Sequence, residues 1–120
     1  METKASKSRQ LETRMLDFAA TVISLIKEVP RTAENSIIIE QLVRSAASIG
    51  ANYTEANNAA SRQDFRNKIF IAKKEVAETR YWLRLLASAN EELDVSYLVT
   101  EVTELLLILQ KVVTTLQKGK

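Results

Sequence analysis

A repeated 4-3-4-3-4 spacing of apolar residues constrains the fold of this chain more than any other feature. The spacing first links Leu11, Met15, Phe18, Val22, Leu25 and Val29, and it returns at Leu98, Val102, Leu105, Leu109, Val112 and Leu116. Because an α-helix turns by about 100° per residue, each set falls on one helix face. The chain contains only two glycines and one proline, so few residues can interrupt such helices. The sequence therefore predicts long amphipathic helices.

Signals at the helix ends divide the chain into four of these helices. They are predicted over 8–29, about 37–58, 61–88 and about 95–117. Pro30 should end the first helix, because the residue before a proline avoids helical geometry. Thr32 or Asn35 can cap the second helix, Ser61 the third and Asp94 the fourth.

Four amphipathic helices with short links between them are typical of one fold class. We predict an all-α protein, an antiparallel up-down-up-down four-helix bundle that occupies residues 8–118. Residues 1–7 are polar and charged and are expected to form a disordered tail.

The second helix combines three different faces. Its apolar face carries Ile38, Ile39, Leu42, Ala46, Ile49, Tyr53 and Ala56. A second face is small, with Ala47, Ala51 and Thr54 beside Gly50, and would let another helix come close. The third face, here named the polar ladder, consists of Gln41, Arg44, Ser48, Asn52 and Glu55. One interpretation is that the ladder is a network that fixes helix register or subunit pairing, and the ladder then faces a subunit boundary or a channel. The other interpretation is that it contacts a ligand or nucleic acid.

The third helix separates its charges. Five basic residues fall within an arc of roughly 40°, and we call them the basic line: Arg62, Arg66, Lys73, Arg80 and Arg84. Asp64, Glu75 and Glu78 lie on the opposite side. The basic line is either a solvated face with acidic neighbours on adjacent helices, or a track for the phosphates of a nucleic acid.

Apolar residues also occur on the remaining surface of the third helix. A helix that is apolar nearly all round is buried, and one small bundle cannot cover every face of it. We therefore predict an oligomer interface at Phe70, Tyr81, Trp82 and Leu85. Since the aromatic residues of this helix are assigned to packing, base stacking and base-specific recognition are not expected.

The composition argues against most enzyme classes. The chain has no histidine and no cysteine, which removes the commonest general base, the commonest metal ligand and thiolate chemistry. Glu75 and Glu78 provide a Glu-x-x-Glu pair, but the di-metal sites of bundles typically use Glu-x-x-His. We expect no catalytic residue, no metal and no cofactor. Without a signal peptide or membrane span, a cytoplasmic location is expected.

Two groups of residues in helices two and three resemble a known family. The first is Gln41-Leu42-x-Arg44-Ser45-x-x-Ser48-Ile49-x-x-Asn52-x-x-Glu55-Ala56, and the second is Phe65, Ile71-Ala72, Glu75, Glu78-Thr79 and Tyr81-Trp82-Leu83. The chain resembles, over about 10–117, the bacterial four-helix bundle proteins encoded in intervening sequences of 23S rRNA genes. It is also similar to the accessory variability determinants of diversity-generating retroelements. Ala56 stands where the family often has glycine.

The resemblance implies a ring-shaped homopentamer of antiparallel four-helix bundles without enzymatic activity. In the retroelement branch, it further implies a basic pentamer that binds nucleic acid and partners a reverse transcriptase. The formal net charge of this chain is only +2, so it lacks the strongly basic balance expected of that branch. We therefore expect a member of the general family that associates with RNA or DNA through the basic line. The alternative is a protein-binding scaffold without nucleic-acid contact.

Overall fold

The computed structural model describes residues 3–119, which form four α-helices and no strand. The helices are α1 (Lys4–Ile26), α2 (Ala33–Asn57), α3 (Arg62–Ala89) and α4 (Ser96–Lys118). The predicted all-α class with four helices is therefore confirmed. Within this described part of the chain, no helix is long and apolar enough to cross a membrane.

Side-chain caps fix the starts of three helices. The side-chain oxygens of Thr3, Thr32 and Ser61 each accept a hydrogen bond from the backbone N–H three residues later. These caps satisfy one of the free N–H groups at each helix start. Asp94 performs a similar task one residue further out, because its Oδ1 accepts from the backbone N–H of Ser96 at 2.9 Å.

The first helix differs at both ends from the 8–29 prediction. It starts at Lys4, so residues 4–7 of the predicted disordered tail are helical, while Met1 and Glu2 lie outside the described residues. The Thr3 cap, which the sequence reading did not use, is the physical reason for the early start. At the other end, α1 stops at Ile26, and the last residues before Pro30 form a turn closed by a bond from the Val29 N–H to the Ile26 carbonyl.

The buried core lies between the four helices and follows the predicted stripes with small shifts. Met15, Val22, Leu42, Ile49 and Leu105 are fully buried, as their spacing predicts. The stripes rotate slightly towards the helix ends. Ile26 and Val113, which widen the predicted apolar faces beside the 4-3 repeats, are buried there, and so is Leu86. The predicted positions Leu25, Ala87 and Val112 are only partly buried.

Neighbouring helices pack against each other around the bundle. Helix α2 packs against α1 and α3, and α4 packs against α3 and α1. Gly50 brings α1 and α2 close together, since a Cβ atom there would lie 3.3 Å from the Cβ of Met15. At one end of the bundle, Asn35 and Asn90 exchange side-chain hydrogen bonds of 3.0 and 2.8 Å, which fix the start of α2 to the end of α3.

A bidentate ion pair joins helices α1 and α4. The Nε and Nη2 atoms of Arg14 donate to the two carboxylate oxygens of Glu101 at 2.7 and 2.8 Å. These hydrogen bonds lower the pKa of Glu101 below its ordinary value of 4.5 and raise the pKa of Arg14. Arg14 also reaches Glu104 at 3.2 Å.

The lowered pKa of Glu101 predicts a specific dependence of stability on pH. A carboxyl group whose pKa is depressed by folding stabilises the fold above its unfolded pKa, and that contribution disappears as the pH falls through the folded pKa. In urea unfolding, we expect the wild-type protein to lose stability as the pH falls below about 4.5, the ordinary pKa of Glu101, and Glu101→Gln to lose less. Glu40→Gln is the matched control, because Glu40 is exposed and forms no ion pair within residues 3–119. Parallel pH curves for wild type and Glu101→Gln would contradict the assignment.

Candidate nucleic-acid interface

The charged members of the polar ladder contact α3. Arg44 forms ion pairs with both Glu75, at 3.3 Å, and Glu78. Glu55 forms an ion pair with Lys68 at 2.8 Å, and this contact raises the pKa of Lys68. Because both contacts cross from α2 to α3, the ladder ties these two helices together at two levels.

The uncharged members of the ladder act within α2. The Oε1 of Gln41 accepts from the Nε of Arg44 at 3.1 Å and so orients the guanidinium. Ser48 and Asn52 each donate to the backbone carbonyl four residues earlier, both at 2.8 Å. None of these three side chains is fully buried. The ladder is thus a half-exposed seam along the α2–α3 contact.

The basic line of α3 has no such acidic partners. Within residues 3–119, no carboxylate oxygen lies within 4.0 Å of the basic groups of Arg62, Arg66, Lys73, Arg80 or Arg84. Arg62 donates instead to the backbone carbonyl of Gly119 at 3.0 Å. If the basic line were only a solvated face, acidic residues of adjacent helices would be expected to pair with it. No such ion pair forms within residues 3–119.

Helical spacing separates the charges on α3, and Arg44 pairs with the acidic side. Glu75 and Glu78 are the carboxylates nearest in sequence to the middle of the basic line, and both turn towards α2. Their side chains are only 12% and 30% exposed. As a result, one flank of α3 has its acidic groups neutralised, while the flank towards α4 carries uncompensated positive charge.

A shallow groove lies beside the C-terminal half of the basic line. Its volume is about 540 Å³, and its lining is Ala77, Arg80, Tyr81, Arg84, Leu85, Ser88 and, from α4, Leu106. The Nε atom of Arg80 is buried here without a hydrogen-bond partner. Unpartnered buried donors are uncommon in folded proteins. The groove therefore places an arginine with an unpaired Nε next to apolar and aromatic surface.

The predicted oligomer-interface residues differ in exposure. Phe70, Tyr81 and Leu85 are 40%, 60% and 36% exposed, whereas Trp82 is half-buried and its indole N–H donates to Glu78 at 3.3 Å. Tyr81 contacts Trp82 edge to face, with ring centroids 5.1 Å apart. Phe70, Tyr81 and Leu85 are thus left partly uncovered by their own bundle, and the subunit contact at these residues stays a prediction.

A second exposed apolar surface lies between α1 and α2. Leu16 and Ile23 of α1 are 68% and 44% exposed, and they border a groove floored by Ala47, Gly50 and Ala51. The small face of α2 was visible in the sequence. The two large residues were missed, since they fall outside the 4-3 apolar repeat of the first helix.

Acidic side chains do not converge on a metal position in the described part of the chain. Across residues 3–119, no group of three or more histidine, cysteine, aspartate or glutamate side chains could hold an ion. Glu75 and Glu78, the pair considered for a di-metal site, are both bound to Arg44.

The chain is similar to known proteins over most of its length. Residues 8–114 match the model of the 23S rRNA-intervening sequence protein family. The chain belongs to this family. It is 34% identical to a protein of unknown function from the S23 ribosomal protein family of Bacteroides thetaiotaomicron, whose crystal structure superposes with a TM-score of 0.77. That similarity covers 90% of this chain and 98% of the Bacteroides chain. No curated protein matches the sequence.

The Arg44 contact predicts a measurable coupling between α2 and α3. In this family member, Arg44→Met should lower the free energy of unfolding by about 1–2 kcal/mol, because it leaves two partly buried carboxylates unpaired. A double-mutant cycle with Glu75→Gln in urea isolates the pairwise energy. Ser48→Ala serves as the control, since its hydroxyl bonds only to its own helix. Strictly additive effects of Arg44→Met and Glu75→Gln would contradict the coupling.

Proposed function

We propose that this family member is a non-enzymatic, cytoplasmic accessory protein that binds the phosphates of RNA or DNA through the basic line of α3. The observation that supports the proposal most directly is the separation of charge on that helix. Five cations line one flank without a carboxylate partner among residues 3–119, while the acidic residues of the other flank are bound to Arg44.

The dimensions of the basic line suit a polyanion. From Arg62 to Arg84 the helix rises about 33 Å, at 1.5 Å per residue, which is close to one turn of duplex. Four of the five cations are arginines, which hydrogen-bond phosphate with two parallel N–H groups. The formal net charge of only +2 for the whole chain does not prevent binding, because polyanion affinity depends on the local charge that displaces counterions.

We further propose that the protein acts as a ring-shaped homopentamer of antiparallel up-down-up-down bundles. Contacts between the ends of successive helices support the antiparallel order. Ser8, early in α1, shares a 2.9 Å hydrogen bond with Tyr53, late in α2, and Arg62 at the start of α3 bonds Gly119 after α4. A closed ring needs two different contact surfaces on each subunit. The exposed side of α3 around Phe70 and the α1–α2 groove around Leu16 are two such surfaces.

Ring assembly would strengthen a modest nucleic-acid site. Several basic lines in one particle act together on one strand, so the particle binds more tightly than a single subunit. A reverse transcriptase is proposed as a protein partner only on the resemblance of residues in helices two and three to accessory variability determinants. A protein-binding scaffold is the second candidate, favoured by the same exposed apolar surfaces.

A salt series tests the nucleic-acid proposal. Binding of labelled RNA and DNA to the purified protein should weaken as salt rises, because each phosphate contact releases counterions. Changing Arg66 and Arg80 together to Ala should weaken binding to all sequences and reduce the slope of log affinity against log salt by about 2. Native mass, measured on the same samples, should exceed that of one subunit.

The chain offers a matched control for this experiment. Arg9 and Arg31 are exposed arginines outside α3, and changing both to Ala removes the same charge. That variant should retain wild-type affinity and slope. Equal losses in the two double variants would contradict a track on α3. No binding even at low salt would overturn the proposal and favour the scaffold.

A further inference from the structure

The groove at the C-terminal half of the basic line combines two chemistries. Arg80 and Arg84 supply positive charge, and Tyr81 and Leu85 supply ring and aliphatic surface, with Leu106 of α4 as the opposite wall. Its volume of about 540 Å³ lies in the range of small-ligand sites. The N-terminal half of the line, around Arg62 and Arg66, borders no tyrosine or tryptophan in the sequence. The basic line is thus chemically uneven along its length.

The guanidinium of Arg80 is the strongest indication of a ligand. Its Nε is shielded from solvent and makes no hydrogen bond within residues 3–119. A buried N–H without an acceptor costs free energy, and an arriving anionic oxygen would remove that cost. Arg84, one turn further along, also lacks a carboxylate within 4.0 Å in the described chain. Two arginines one helical turn apart therefore lie at the same groove, and neither has a carboxylate partner within residues 3–119.

The ring of Tyr81 lies open beside these arginines. It is 60% exposed, and its edge-to-face contact with Trp82 leaves ring surface available to solvent. Every nucleobase has a flat face that stacks on an aromatic side chain. In a duplex, those faces are already covered by neighbouring base pairs, whereas a single strand can turn one base outwards.

We propose that this groove holds one unstacked nucleotide of a single strand, with its phosphate on Arg80 and Arg84 and its base against Tyr81. This inference rests on the proposed nucleic-acid function and specifies the kind of strand. It makes the protein a binder of single-stranded RNA or DNA without sequence preference, since stacking accepts every base. The remaining basic residues, towards Arg62, follow the backbone.

Fluorescence anisotropy with a labelled single strand of mixed sequence and the matching duplex tests the inference. The wild-type protein should bind the single strand more tightly by about fivefold to 100-fold, the range that one stacked base provides. Tyr81→Leu should lose most of that excess and leave duplex binding unchanged, while Tyr81→Phe should retain it. Tyr97→Leu is the matched control, because Tyr97 is a 72% exposed tyrosine on α4 outside the groove.

Trp82 gives a second, independent signal, because it is the only tryptophan and lies 5.1 Å from Tyr81. A single strand should change its fluorescence on binding. Inorganic polyphosphate, which has phosphates and no bases, should compete for binding without that change. A polyglutamate peptide that competed as well as the single strand and gave the same fluorescence change would instead favour an acidic protein partner and overturn the inference.

The outcomes separate this inference from the broader proposal. Equal affinity for single strand and duplex, unaffected by Tyr81→Leu but weakened by Arg66→Ala, would overturn the nucleotide groove and leave the phosphate track standing. A fall in native mass for Tyr81→Leu would assign the ring to subunit contact and also overturn the groove. Binding to neither strand type would overturn both proposals.

Discussion

The contact of Arg44 with Glu75 and Glu78 holds the acidic side of α3 against α2. It bridges two helices of the bundle and neutralises two partly buried carboxylates. Helical spacing already places these carboxylates on the side of α3 opposite the basic line. The polar ladder of α2 therefore supplies the partner of the acidic side, and no carboxylate within residues 3–119 pairs with the basic line.

Most of the fold could be predicted from the sequence, because apolar periodicity and helix caps are local signals. The repeat through Met15 and Val22 identified the core face of α1, and Thr32 and Ser61 cap the helices they were expected to cap. The start of α1 was placed too late, since the Thr3 cap lies in a segment with no apolar run before Leu11.

The candidate site was only partly predictable. Helical spacing placed Arg62 to Arg84 on one flank of α3. It could not show which residue of α2 the acidic side chains of α3 would bind. The partners of Arg44 depend on how α2 and α3 pack, which is a property of the tertiary structure. The degree to which Tyr81 and Trp82 are exposed in one chain depends on the same packing. Periodicity reports which residues are apolar, and only the packed bundle shows which of them it leaves uncovered.

Family membership concerns the fold of the chain, whereas charge separation concerns its function. The chain matches the 23S rRNA-intervening sequence family, and the similar protein from Bacteroides is described as having unknown function. The proposed function therefore rests on the residues of this chain. A helix that neutralises one flank and leaves the other cationic has the electrostatic form of a polyanion-binding surface.

Arginine footprinting with phenylglyoxal can locate the surface that a polyanion covers. The reagent modifies accessible guanidinium groups, and mass spectrometry then reports each arginine separately in the presence and absence of single-stranded RNA. We expect RNA to protect Arg66 and Arg84 and to leave Arg9 and Arg31 as reactive as before. Protection of Arg9 and Arg31 with no change on α3 would contradict it, since the polyanion would then bind a surface other than the basic line.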